Sequence, residues 1–262
     1  MNLYELRHEL SPILGDRLLV GSATAASTVT LKDTNELIQD DDSWNGANVY
    51  IYSGTGAGQE RTISDFVQST NQMTVTPAWA TIPASGSCYE IHQTYNVLDG
   101  YNPAIRMAIR AKRRRMFLPK TDETVTLTTA YEYDIPSGFV SISEIWRNDA
   151  AGDFCEIVPQ RDVRIDKGSR HLVFDKGVAL AKGWIVAGRK LRIIGQSHET
   201  EPATETATLS VNTVPILWYA KGMLHAGNGE DAQMAAAIKL ADIELADTET
   251  PLWPGSLFVE EV

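Results

Sequence analysis

Cysteine is scarce. Cys88 and Cys155 are the only two in 262 residues, too few for a disulfide framework or a four-cysteine zinc site. No run of eighteen apolar residues occurs, so no membrane-spanning helix is expected. The opening MNLYELRHELSPIL carries a charge every few positions and lacks the apolar core of a secretory signal; a cytosolic origin is the expectation. His8, His92, His171, His198 and His225 are not spaced as metal ligands on one helix, and each reads as a surface or packing histidine. Asp40-Asp41-Asp42 lacks the alternating ligands and central glycine of a calcium loop and reads as a solvated acidic turn.

Catalytic and cofactor motifs are equally sparse. No Gly-x-Ser-x-Gly elbow is present. Gly54-Thr55-Gly56-Ala57-Gly58-Gln59 has Gln where a dinucleotide fingerprint needs its third glycine, and it precedes a strand-like run rather than a helix. A glycine-rich hairpin turn is the expectation. Carboxylates are abundant, but pairing them needs geometry. No catalytic residue, metal or cofactor is assigned, and the chain reads as a non-enzyme.

Charge is plentiful and uneven. The chain has 23 Lys+Arg and 34 Asp+Glu, a net of −11, which argues against broad nonspecific nucleic-acid binding. Yet Arg106, Arg110, Lys112, Arg113, Arg114 and Arg115 fall within ten residues free of acid, while eleven acids and two lysines follow Gly195. On a helix, Arg106, Arg110, Arg113 and Arg114 form a basic stripe away from Ile105, Ala108, Ile109 and Met116. Such a stripe suits a solvated or acid-paired face, an interface with an acidic partner, or phosphate contact.

Periodicity divides the chain. Leu3, Leu6, Leu10, Ile13 and Leu14 predict a helix over 3–14, with Pro12 a flaw in its last turn. Between 17 and 93, six short runs rich in Val, Ile, Thr and Tyr predict strands at Arg17–Val20, Thr28–Leu31, Asn48–Tyr52, Glu60–Phe66, Met73–Thr76 and Ser87–Ile91. A helix follows over Tyr101–Phe117, ended by Pro119. Strands are expected again at Thr124–Thr128, Val140–Trp146, Glu156–Val158, His171–Phe174 and Leu191–Ile194, with 178–189 left open between strand and loop. Two helices, 214–226 and 230–247, come next; the second carries Met234, Ile238, Ala241 and Leu245 at helical spacing.

The expected fold is therefore α+β: a helical bundle of dispersed helices (1–16, 94–120 and 213–248) with two inserted antiparallel β modules (17–93 and 121–212), each a small barrel or sandwich, and an extended C-terminal arm (249–262).

Two segments resemble tailed-bacteriophage virion proteins. Trp44, Val49-Tyr50-Ile51, Gly58-Gln59-Glu60-Arg61-Thr62-Ile63, Thr74-Val75, Trp79, Pro83 and Gly86-Ser87-Cys88-Tyr89-Glu90-Ile91 resemble a small β module of phage head–tail and tail proteins. Tyr133-Asp134-Ile135-Pro136-Ser137-Gly138-Phe139, with Ile142 and Ile145, is similar to the Y-x-L-P-x-x-F strand turn of head-to-tail adaptor (connector, gatekeeper-like) proteins. The late helix pair also looks like the helical bundle of adaptors.

The resemblance implies a structural protein of the virion neck, assembled in the host cytoplasm. It would form a homo-oligomeric ring, typically of twelve copies, beneath the portal protein. It would extend the DNA channel, let DNA pass without sequence-specific contact, and present a surface to a tail, nozzle or terminator protein. Carried onto this chain, Pro251, Leu252, Trp253, Pro254, Leu257 and Phe258 become the portal-binding arm. The alternatives are another tail or baseplate component, and a carbohydrate-binding module using Trp44, Trp79 and nearby acids.

Overall fold

The computed structural model describes residues 1–248 and 252–259. It divides into two compact units, one of Met1–Arg110 with Glu201–Asp247 and one of Ala111–Thr200 with Thr248–Val262.

The first unit opens with α1 (Leu3–Leu14). The Asn2 side chain accepts from the Glu5 N–H while the Glu5 carboxylate accepts from the Asn2 N–H, a capping box that satisfies two otherwise orphaned donors. Gly15, at φ 71°, ends the helix after Leu14 despite Pro12. Leu3, Leu6 and Leu10 are fully buried, as the periodicity requires.

Seven strands follow: β1 (Leu18–Ser22), β2 (Ala25–Ala26), β3 (Thr30–Lys32), β4 (Asn48–Ser53), β5 (Glu60–Val67), β6 (Gln72–Thr76) and β7 (Cys88–His92). They pair antiparallel in the order β1-β7-β4-β5-β6-β3-β2. Two residues separate β1 from β2, although they occupy opposite ends of that order. Laid flat, six strand spacings would hold them about 29 Å apart, whereas three Cα steps reach about 11 Å. The sheet must therefore curl on itself. Its interior is filled by Leu31, Trp44, Val49, Ile51, Ile63, Phe66, Met73, Trp79, Tyr89 and Ile91, each large apolar side chain contributing roughly 1.5–3 kcal/mol by leaving water.

A π-helical turn, Val97–Tyr101, leads into α2 (Asn102–Lys112). The Glu60 carboxylate accepts from the Val97 and Leu98 N–H groups, fixing where the chain leaves the sheet. Residues Arg113–Arg115 continue as a tighter 3-10 turn.

The second unit contains β8 (Phe117–Asp122), β9 (Glu132–Asp134), β10 (Ser141–Asn148), β11 (Phe154–Ile157), β12 (Val163–Asp166), β13 (His171–Phe174), α3 (Lys176–Lys182) and β14 (Leu191–His198). One sheet runs β11-β10-β14-β8 and another β12-β13-β9. Pro119 lies inside β8, a sheet-edge strand, where its missing N–H is tolerated. Leu127, Tyr133, Phe139, Ile142, Ile145, Leu172, Phe174, Leu191 and Ile193 form the core between these strands. Thr124–Thr128 supplies only a single bridge, Thr126 to Lys190.

The chain then returns to the first unit as α4 (Val214–Gly227) and α5 (Asp231–Thr248). Helix α1 packs on α4, and α4 meets α5 at Gly222, where a Cβ would stand 3.0 Å from Ile238 and 3.2 Å from the Met234 carbonyl oxygen. Finally β15 (Leu257–Phe258) joins β10 antiparallel in the second unit, with Ser141 opposite Phe258.

The expected bundle of helices with inserted β modules is corrected by this architecture. The chain is mostly β, with antiparallel sheets of seven, five and three strands and five α-helices among the described residues. The physical reason is where the cores lie. Strands β8, β9 and β12 complete the sheets of the second unit, and α1, α4 and α5 fall in the same unit as the seven-stranded sheet.

Candidate interaction surfaces

The glycine-rich segment is a turn, as its composition predicts. Gly54, Gly56 and Gly58 all have φ between 85° and 88°, a region closed to most side chains, and they join β4 to β5. Gln59 organises the loops beside it. Its side-chain amide donates to the carbonyls of Gly56 and Thr81, and its oxygen accepts from the Ala80 and Thr81 N–H groups. Arg61 lies over the Trp79 ring and donates to the Ala78 carbonyl. The residues quoted for the first resemblance thus belong to one connected module. Trp44 and Trp79 are buried, at 1% and 4% exposure, so neither offers a ring face to a sugar.

The basic segment does not form one helical stripe. Arg106 and Arg110 sit on α2, but Arg113 and Arg114 lie in the 3-10 turn, where the 100° step per residue no longer holds. Arg110 is paired in a fork with Glu201, at 2.5 and 2.8 Å, which raises its pKa through the hydrogen bond and the carboxylate's charge. Arg106 is half-buried, and its Nε has no hydrogen-bond partner among the described residues. Arg113 and Arg114 are exposed. Acid pairing therefore accounts for Arg110.

The C-terminal segment lies along its own unit. Helical capping plays no part; β10 offers β14 one edge, and β11 and β15 share the other at 146–148 and 141–142. The Trp253 N–H donates to Gln196 Oε1 at 2.8 Å, and the Val259 N–H to the Val140 carbonyl. Val259 is 2% exposed while Phe258 is 43% exposed. Leu252, Trp253 and Leu257 are half-buried and Pro254 is exposed; Pro251 lies outside the described residues. This segment borders the Tyr133–Phe139 turn in sequence pairing, because Val140 directly follows Phe139.

One cluster was not foreseen. Arg7, fully buried, donates to Glu90 at 2.6 Å, Asn102 at 2.8 Å and Glu205 at 2.7 Å, and Tyr50 donates to the other Glu205 oxygen. His92 Nδ1 stands 3.3 Å from Asp16 Oδ2, which also accepts from the Tyr101 hydroxyl. Glu90 Oε2 lies 3.8 Å from both His8 Nε2 and His92 Nε2. Burial opposes charge on His92, but Asp16 and Glu90 outweigh it and raise its pKa. Burial lowers that of His8. The signal available in sequence was Arg7 itself, four residues after Leu3 and three before Leu10, hence on the apolar face of α1.

Among the described residues, no group of three or more His, Cys, Asp or Glu is arranged to hold a metal ion, and no helix is long and apolar enough to cross a membrane. Cys88 and Cys155 are free thiols, half-buried and exposed respectively. Comparison with family models, curated proteins and solved structures gives no match.

Proposed function

We propose that this chain is a structural virion protein, a head-to-tail adaptor that forms a ring on the portal, extends the DNA channel and offers the tail an attachment surface. The observation that carries this reading is the integrity of the β module on which the resemblance rests. Trp44, Gln59, Arg61 and Trp79 hold its turns together through their side chains, so the quoted residues act as one structural unit.

The portal-facing element is the segment 252–259, with exposed Phe258 as its anchor. Exposed aromatics are suited to this, since burying one in a partner pocket typically contributes about 2 kcal/mol or more. Arg113 and Arg114 are the basic residues assigned to the DNA channel or to a neighbouring copy. A lumen with few such contacts lets DNA slide, because each phosphate neutralised adds affinity that passage must overcome.

The test is imaging of the purified chain mixed with portal rings of the phage that encodes it. A ring capping the portal's narrow end is expected. Failure to bind, together with virions lacking this chain in the neck, overturns the reading.

A further inference from the structure

A pocket of about 250 Å³ opens on the first unit, between the start of α2 and the end of α4. Its apolar walls include Ala104, Met107, Met223 and Leu224; Ala104 and Leu224 are buried, while Met107 is 44% exposed. Small-molecule sites usually enclose roughly 300–1,000 Å³, so this one has room for a single long side chain. Methionine walls adapt readily to such a guest.

The polar groups of this pocket favour a cation. The Asp99 carboxylate lines it, is exposed, and makes no ion pair among the described residues. The Asn228 amide donates to the Tyr95 hydroxyl at 3.1 Å, which leaves the amide oxygen as an acceptor. Helix α4 ends here at Gly227, and its carbonyl end adds partial negative charge. Burial, and then the charge of Glu230, raise the pKa of Tyr95, so a second carboxylate stands near. Glu230 is itself held by His225 Nδ1 and supplies field rather than a partner. No lysine or arginine among the described residues lines the pocket. Apolar walls with a negative rim complement arginine, an aliphatic stem under a planar cation.

This chain carries such groups. Arg113-Arg114-Arg115 is its only run of adjacent arginines. Lys112 and Arg115 are engaged within the chain. Arg113 and Arg114 are exposed, and neither side chain makes an ion pair or hydrogen bond among the described residues. We infer that the pocket at Asp99 receives the Arg113–Arg114 turn of a second copy of this chain, with a guanidinium on the Asp99 carboxylate. The two patches differ, so the contact can repeat from copy to copy and close a ring. It deepens the adaptor reading and rests on it in assigning these arginines to a neighbouring copy rather than to DNA.

The experiment is sedimentation velocity of the whole chain, without portal, from about 1 μM to about 1 mM. One variant, Asp99→Lys, closes the pocket to cations; a second, Arg113→Gln with Arg114→Gln, removes the guest. Wild type is expected to self-associate, and each variant to do so about tenfold or more weakly. Mixed in equal amounts, the two variants are expected to form heterodimers that grow no further, because the intact arginines of the first meet the intact pocket of the second. Melting temperatures close to wild type confirm that both variants fold, and Asp99→Asn, a milder change, is expected to weaken association in the same direction. A wild type that stays monomeric throughout, or a mixture that does not pair, overturns the inference. An arginine variant that loses DNA affinity yet associates like wild type also overturns it, and gives the arginines to the channel. None of these results decides docking on the portal, which the imaging experiment tests separately.

Discussion

Arg7 Nε donates to Glu90 Oε1 at 2.6 Å with both side chains fully buried, so a charge on α1 is answered by a charge on β7. The guanidinium's other donors reach Asn102 and Glu205. Arg7 therefore joins α1, the seven-stranded sheet, α2 and the segment before α4 at one point.

Breaking that pair from one side should be costly, because the partner is left buried and uncompensated. Arg7→Met or Glu90→Gln is expected to destabilise the first unit by about 3–5 kcal/mol. The double variant should lose less than the sum of the two. Urea unfolding of the four proteins measures the coupling, and additive losses would show that the pair is not a linked unit.

The two histidines beside Glu90 give opposite pH dependences. His92 has a raised pKa in the fold. Its stabilisation is complete below the ordinary value of 6.5 and is lost as pH rises through the folded value. His8 has a lowered pKa, so its contribution is present above 6.5 and is lost as pH falls through its folded value. Melting curves across this range should show His92→Gln removing the loss on the alkaline side, and His8→Gln removing the loss on the acid side. Identical pH profiles for wild type and both variants would contradict the assignment.

At Gly195 the β10–β14 pairing is close enough that a Cβ would overlap the Ser141 carbonyl oxygen and stand 3.0 Å from Ile142 Cα. Gly195→Ala should cost roughly 1–3 kcal/mol through strand displacement. Thermal unfolding tests this; an unchanged melting temperature would mean that β10 moves freely at Ser141.

Removing Gln59 leaves the Ala80 and Thr81 N–H groups without their acceptor. Both amides are exposed and take water in its place, so Gln59→Ala is expected to destabilise by only about 0.5–1.5 kcal/mol, with faster hydrogen exchange at those two amides. Unchanged exchange would separate Gln59 from the order of the 78–81 loop.

Phe258 and Val259 divide the C-terminal segment between binding and folding. Phe258→Ala should weaken portal docking by about tenfold or more while leaving the melting temperature close to wild type. Val259→Ala should lower stability, because Val259 belongs to the core of the second unit. Docking unaffected by Phe258→Ala would remove this side chain from the portal contact.

Much of the local structure was legible. Strands β4 to β7 fall where β-branched and aromatic runs end in Gly, Asn and Pro clusters, and α1 follows its leucine spacing. Pro119 misled because the same residue stops a helix and is accepted by an edge strand; only the pairing order reveals β8 as an edge. Helix α3 had readable signals in its ends. Asp175 caps the Val178 N–H, and Gly183 closes it at φ 66°, but seven residues carry too little periodicity to register as a helix, and 178–189 reads in sequence as strand or loop.

The sequence by itself determined the positions of most strands and helices, the glycine turn, and the concentration of basic charge between 106 and 115. These depend on neighbouring residues: backbone preference, spacing of apolar side chains, and turn chemistry. Tertiary structure decided the curl of the seven-stranded sheet, the docking of β15 on β10 and the burial of Arg7 with Glu90. Each of these joins residues far apart in the chain, and for Arg7 and Glu90 the separation is 83 positions. No local pattern records such a meeting, because its free energy depends on partners and on the water they exclude. The feature that looked most functional in sequence, the arginine run, changes from α-helix to 3-10 turn at Arg113, whereas an arginine that looked ordinary ties the first unit together.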